Sequence, residues 1–217
     1  MEVVYDEKVG FWLRPGTLDR MIVGESRRSY LSVLDIGPED RILDVGACFG
    51  AFTKPARALG AFVVAVEPHP QNFELLGWNS PSENNFHGAA VGNAVGCEPG
   101  SRVTLYVSGG INTGLHSIHP TRGRQPVEVN ALNFSNLLAA HEINKVKLDC
   151  EGAEHDLLSA SLPQQVTHLA LEWHLNRFNW RESARKLHQQ LVASGFSVLR
   201  EPRFGDKNWT TLGAYRR

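Results

Sequence analysis

Glu39-Asp40-Arg41-Ile42-Leu43-Asp44-Val45-Gly46-Ala47-Cys48-Phe49-Gly50-Ala51-Phe52 is the stretch that decides the fold. An apolar run, Ile42-Leu43-Asp44-Val45, breaks at Gly46 and passes through Gly-x-x-x-Gly into a segment with helical character over 50–59. A buried strand, a glycine turn and a helix start, in that order, make a cradle for a nucleotide-like cofactor. Glycine lets the backbone approach a ligand closely, and a helix N-terminus presents free N–H groups. About twenty residues further on, a second apolar run, Ala61-Phe62-Val63-Val64-Ala65-Val66, ends in Glu67-Pro68. An acid at the tip of the second strand is where wound α/β sheets bind ribose hydroxyls.

The alternation continues outward. Strands are expected at Arg41–Val45 and Phe62–Val66, helices at 50–59 and Pro70–Asn79, and a third strand at 86–91. Upstream, 25–34 has helical spacing with Tyr30, Leu31 and Leu34 on its apolar side, ended by Gly37-Pro38. Residues 92–126 interrupt the rhythm with seven glycines. One strand, 102–107, and a long loop that covers a site or merely lies on the surface are expected there. The pattern resumes at 127–131, a helix over 134–141, strands over 145–149 and 168–173, and an amphipathic helix over 181–194. Residues 196–199 and 211–215 suit a closing antiparallel pair. The expected fold class is α/β, a doubly wound, Rossmann-like and mostly parallel sheet. It forms one domain over 1–217, with 1–37 as an N-terminal extension and 92–126 as a glycine-rich insertion.

Composition narrows the classes. Hydrophobic residues at 42% and charged residues at 21% are ordinary for a globular protein, and the net charge of −1 supplies no global field toward nucleic acid or anionic membrane. Three cysteines in 217 residues make no disulfide framework. The first residues carry Glu2, Asp6 and Glu7 rather than a signal-peptide core, and no run reaches the ~20 apolar residues of a membrane span. A cytoplasmic protein without a membrane or nucleic-acid partner is expected. Arg122-Gly123-Arg124 and Arg216-Arg217 are read as solvated surface.

The glycine spacing separates two cofactor chemistries. A dinucleotide turn is Gly-x-Gly-x-x-Gly, so that a pyrophosphate can lie on the helix start. Position 48 is Cys, so the middle glycine is missing, and Asp44-x-Gly46-x-x-x-Gly50 suits a ligand without phosphates. S-adenosylmethionine is such a ligand, and an acid beside the turn can face its ammonium group. With these residues in view the chain resembles the FkbM-type S-adenosylmethionine-dependent methyltransferases. The resemblance is carried by Asp44-Val45-Gly46-Ala47-Cys48-Phe49-Gly50, by Val66-Glu67-Pro68-His69-Pro70-Gln71-Asn72-Phe73 and by Val146-Lys147-Leu148-Asp149-Cys150-Glu151-Gly152-Ala153-Glu154. It implies a class I methyltransferase fold and transfer of a methyl group, usually to oxygen, on a small molecule or sugar. Cofactor contacts are then expected from Asp44, Gly46, Ala47, Phe49, Gly50, Glu67, Pro68 and Asp149. Cys48-Phe49 replaces a frequent Asn-Ile of the family, and Asn133 replaces a frequent Asp.

The first and fourth strands of such a sheet are neighbours, which sets Asp149 beside the glycine turn. Glu151, Glu154, Glu172 and His174 follow strands four and five at the same edge. Asp149, on the methionine side of the cofactor or at the acceptor, Glu172 and His174 are therefore the expected catalytic residues, with His174 as the best candidate base. A capping role for His174, and helix-terminal roles for Glu151 and Glu154, are the plainer alternatives. The spacing of these acids and histidines, His116-x-x-His119 included, matches no recognised ligand signature, so no metal is expected. Cys48 and Cys150 are expected as small residues lining the cleft. Trp173, Phe178 and Trp180 suit either a stacking surface or the core. A non-catalytic adenosine-binding module and an NAD-type oxidoreductase are the competing functional classes, the latter disfavoured by the glycine spacing.

Overall fold

Short apolar runs, separated by amphipathic segments, fold as strands covered by helices on both faces. The computed structural model describes residues 1–81, 85–93, 100–120, 122–159, 161–174, 180–199 and 209–216. A hairpin of β1 (Val4–Asp6) and β2 (Phe11–Leu13) comes first. It leads into α1 (Asp19–Ser26), a π-helical turn (Arg27–Leu31) and α2 (Ser32–Leu34). The wound unit follows as β3 (Arg41–Val45), α3 (Thr53–Ala58), β4 (Phe62–Val66), α4 (Pro70–Asn79) and β5 (Phe86–His87). After β6 (Ala89–Gly92), β7 (Arg102–Val107) and β8 (Gln125–Asn133) come α5 (Phe134–Ala140), β9 (Lys145–Leu148), α6 (Glu154–Leu157) and β10 (His168–His174). The chain closes with α7 (Trp180–Ala193), β11 (Ser197–Val198) and β12 (Trp209–Tyr215).

The main sheet has seven strands in the order β11-β12-β10-β9-β3-β4-β5. β5, β4, β3, β9 and β10 run parallel, whereas β12 is antiparallel to both β10 and β11. That is the expected wound sheet with its closing antiparallel pair. Strand order reverses at β3, which has β4 on one side and β9 on the other. The carboxyl ends of β3, β4, β9 and β10 meet at that switch point, where a wound sheet forms its crevice.

The two faces of β3 carry different cores. Leu43 and Val45 pack with Val146, Leu148, Leu169 and Leu171 against α5, α6 and α7. Ile42 packs on the other face with Val63, Ala170, Tyr30, Leu34, Phe52 and Ala56. Asp44 shares this second face and is fully buried. Lys147 of β9 lies 3.0 Å from it, and Thr53 donates a 2.6 Å hydrogen bond to it.

Three expected elements differ. The single strand over 86–91 is two: β5 pairs with β4, and after Gly88 the chain leaves the sheet so that β6 pairs with β8. Residues 127–131 belong to that second, three-stranded sheet, ordered β6-β8-β7, and not to the wound core. Its apolar cluster of Ala90, Leu105 and Val129 gives it a small core of its own. The helix expected over 25–34 starts earlier, at Asp19, and changes to π-helical winding at Arg27–Leu31. Arg216 is also not solvated surface: it is buried and donates to the carbonyls of Val166, Ser194 and Leu162. Among the described residues no helix is long and apolar enough to cross a membrane.

Candidate active site

A cleft of ≈ 990 Å³ opens at the carboxyl edge of the main sheet. Its floor is the glycine turn after β3, its walls are the ends of β4, β9 and β10, and its roof comes from 112–119 and α1. Of the residues expected from the sequence, Gly46, Ala47, Glu67, Pro68, Asp149, Glu172 and His174 line it.

The turn itself is held from behind. Gly46 has φ +74°, and a Cβ there would fall 1.8 Å from the carbonyl oxygen of Asp149, so no other residue fits. Cys48 takes a positive φ of 52°, the conformation that a glycine supplies in a dinucleotide turn. The Gly46 and Ala47 amides donate to the Val66 carbonyl, the Gly50 amide to the Ala47 carbonyl and the Cys48 amide to Glu67. Those N–H groups are not free, contrary to the expectation of an amide cradle. A pyrophosphate finds no row of donors here.

Three expected cofactor contacts lie behind this wall. Asp44 is committed to Lys147 and Thr53, so it does not face a ligand ammonium. Gly50 is a packing glycine whose added Cβ would come within 2.9 Å of Leu76. Phe49 is buried edge-on against Phe11. These three shape the turn instead of lining the cleft.

Glu67 closes the opposite side. Its Oε2 accepts from the Cys48 amide at 2.8 Å and its Oε1 from the His69 amide at 2.8 Å. Burial pushes its carboxyl up to about 7, against the downward pull of the two amides. The Asn72 side chain donates to the same carboxylate and pulls in the same direction as the amides.

The acidic wall is built by β9, β10 and the π-helical turn. The Tyr30 hydroxyl lies 3.0 Å from Asp149 Oδ2 and 3.2 Å from Glu172 Oε2, bridging the two carboxylates. His174 lies beyond them. Its Nδ1 is 3.0 Å from Glu154 Oε1, and its Nε2 is 3.4 Å from Glu172 Oε1 and 3.6 Å from Glu151 Oε1. Burial alone would lower the His174 pKa, but hydrogen bonds to Glu151, Glu154 and Glu172 hold it well above its ordinary value. In that surrounding His174 is a charged positioning residue, and it offers a lone pair, as the expected base would, only on giving up its proton. Burial first, and the Asp149 charge second, push Glu172 up to about 7. Glu154 is itself fully buried and accepts from the Cys150 and Gly152 amides, which fixes its orientation.

Lys147 ties the two halves together. It donates to the Gly46 carbonyl at 2.7 Å, and it lies 5.3 Å from the Tyr30 ring centre. Burial opposes its charge, yet Asp44 and then Asp149 hold its pKa above the ordinary lysine value. Sequence reading passed over Lys147, and it placed Tyr30 only in the core. Lys147 has a legible signal, one of two lysines alternating with apolar residues in the buried strand Lys145–Leu148, whereas Tyr30 depends on a π-helical turn that periodicity does not show.

The roof is anchored on three elements. Thr113 donates to Asp19 of α1 at 2.6 Å and accepts from Asn72 of α4 at 2.8 Å. Ser117 donates to the Glu151 carbonyl at 2.6 Å. The loop expected to cover a site or lie on the surface thus lines the cleft, and Arg124, read from the sequence as surface, does too. Cys48 and Cys150 also line it, as free thiols. Trp173 is buried against the His155 ring at 4.0 Å, a core position, and Phe178 lies outside the described residues.

This fold and this cleft define a class I methyltransferase. The profile of the methyltransferase FkbM domain matches residues 44–198, and the chain belongs to that family, which uses S-adenosylmethionine. Solved structures are similar to the chain. A transferase from Pyrococcus horikoshii is 12% identical, with 98% of this chain and 70% of that chain covered and a TM-score of 0.50. A precorrin-6y C5,15-methyltransferase from Geobacter metallireducens is 12% identical, with 98% and 97% covered and a TM-score of 0.49. The magnesium protoporphyrin IX methyltransferase of Synechocystis, solved with S-adenosylmethionine bound, is 13% identical, with 91% and 79% covered and a TM-score of 0.44. No curated protein matches the chain. The NAD-type alternative is overturned by the family match.

Proposed function

We propose that the protein methylates a hydroxyl oxygen on a small molecule or sugar, with S-adenosylmethionine held between the Gly46–Cys48 turn and the acidic wall. The observation that carries this reading is the Tyr30-bridged pair of Asp149 and Glu172, which faces the cleft beside that turn. When bound, the cofactor supplies a methyl group on a sulfonium, whose electron pair stays on sulfur as the new oxygen–carbon bond forms. Gly46, Ala47 and Pro68 give the backbone surface for its adenosine and methionine parts, and Glu67 accepts from ribose hydroxyls. Nothing in the turn calls for phosphate, because its amides are consumed internally.

Transfer to a neutral hydroxyl needs a proton acceptor near the attacking oxygen. Asp149 and Glu172 are the groups in reach of such an oxygen, and the Tyr30 hydroxyl fixes one oxygen of each. His174 supplies a compensating charge and positions Glu172. Aligning donor and acceptor accounts for much of the acceleration in an in-line displacement. The size of the cleft, near the upper end of the ordinary ligand range of about 300–1,000 Å³, suits cofactor and acceptor together.

The test is mass spectrometry of a panel of sugars, phenols and aliphatic alcohols incubated with the protein and methyl-deuterated S-adenosylmethionine. The expected product carries the labelled methyl on oxygen, and Asp149→Asn abolishes turnover while the folded circular-dichroism spectrum persists. Labelled nitrogen or carbon in a product contradicts the hydroxyl acceptor. A fully active Asp149→Asn refutes the role of that carboxylate.

A further inference from the structure

We propose that Asp149, Glu172 and His174 form a divalent-cation site of the Mg²⁺ or Mn²⁺ type at the acceptor end of the cleft. One ligand atom from each of the three lies within 4.8 Å of the other two. They come from the ends of two adjacent parallel strands, β9 and β10, so a rigid sheet sets their spacing.

The supporting contacts fix the orientation of all three side chains. Tyr30 occupies Oδ2 of Asp149 and Oε2 of Glu172, so Oδ1 and Oε1 are the atoms turned away from it. His174 is oriented through Nδ1 by the buried Glu154, which turns Nε2 toward Glu172 Oε1. A carboxylate holding the far nitrogen of an imidazole is the arrangement that orients histidine ligands on metals. A binding cation displaces the proton of His174 Nε2 to solvent, and two carboxylate oxygens together with that nitrogen then suit a hard to borderline cation and leave positions for water and an acceptor oxygen.

Charge argues the same way. Asp149, Glu151, Glu154 and Glu172 are gathered around a single imidazole, and the nearest lysine, Lys147, is already paired with Asp44. Partly buried carboxylates in excess of their partners are costly unless a cation joins them. On the same cleft wall Ser26, 3% exposed, carries a buried hydroxyl without a hydrogen-bond partner. A cation with its waters would supply both the missing charge and donors and acceptors for such a group.

This deepens the reading above: the two carboxylates would act on the acceptor oxygen through the cation, which lowers the pKa of a bound hydroxyl. The cation site itself stands on geometry and is testable without any methyl acceptor. Chelator-treated protein is titrated with Mn²⁺, and the electron-paramagnetic-resonance signal of free Mn²⁺ is followed, with and without S-adenosylmethionine. One saturable equivalent is expected for the wild type. It should be lost in Glu172→Gln and in Asp149→Asn, and weakened roughly 10–100-fold in Tyr30→Phe, which keeps the ring but frees the carboxylates. Circular dichroism and S-adenosylmethionine affinity verify that each variant is folded. No bound Mn²⁺ in the wild type overturns the site, and so does equal binding by all folded variants. A cationic acceptor neutralised by the same carboxylates predicts that first result. Methyl transfer that persists in excess chelator, together with no Mn²⁺ binding, would leave the hydroxyl-transfer reading standing and remove this one alone.

Discussion

Lys147 and Glu67 are the residues on which the cleft depends most, and they act in opposite ways. Lys147 never lines up with a reacting atom. It neutralises Asp44 in the core and holds the Gly46 carbonyl, so it transmits the position of β9 to the glycine turn. Lys147→Met leaves a buried, unpaired carboxylate and should cost about 3–5 kcal/mol in denaturant unfolding. Adding Asp44→Asn to that variant should recover part of the loss, because the uncompensated charge is then gone. A Lys147→Met protein as stable as wild type would refute the pairing. Glu67, by contrast, lines the cleft. Its carboxyl is pushed up to about 7, so it gains a proton as pH falls through that value. Under the proposed contact, ribose hydroxyls donate to the ionised form, and affinity for S-adenosylmethionine should weaken between about pH 8 and about pH 6. In Glu67→Gln that part of the pH dependence should vanish, as measured by calorimetric titration across the range. An unchanged pH profile in the variant would contradict the assignment.

At the scale of elements, the roof and the π-helical turn carry what the sequence shows least. Gly46, Glu67 and Asp149 were legible, because strand ends follow from apolar runs and a sheet edge collects whatever comes next. Tyr30 was read as core from its helical spacing, and its ring is indeed core, packed against Phe52. Its hydroxyl reaches Asp149 and Glu172 from the π-helical turn, whose winding leaves no mark on apolar periodicity. Asp44 was misplaced for a related reason. Alternation along β3 puts it on the inner face with Ile42, and only the partner strand reveals that Lys147 waits there. The Asn133 departure from the family pattern has a local explanation. Its side chain caps α5 by accepting from the Asn136 amide at 3.0 Å, a task that Asp performs equally well. Asn133→Ala should lower stability by about 1 kcal/mol, a fall of roughly 2–4 °C in melting temperature. Asn133→Asp should be close to neutral. A melting temperature unmoved by Asn133→Ala would show that the cap contributes nothing.

Across the whole molecule, one edge of one sheet assembles everything. β3 delivers the turn, β4 delivers Glu67, β9 delivers Asp149 and β10 delivers Glu172 and His174, while the chain before β3 and the second sheet close the top. The sheet order was legible because βαβ units wind right-handed and in sequence. The second sheet was not, because β6, β7 and β8 pair across a stretch whose composition reads as loop. The measurement that tests the central claim most directly is calorimetric titration of the purified protein with S-adenosylmethionine and, separately, with NAD. Saturable binding of the first and none of the second is the predicted result. Binding of NAD alone, or of neither, would contradict the account of the glycine turn and the cleft built upon it.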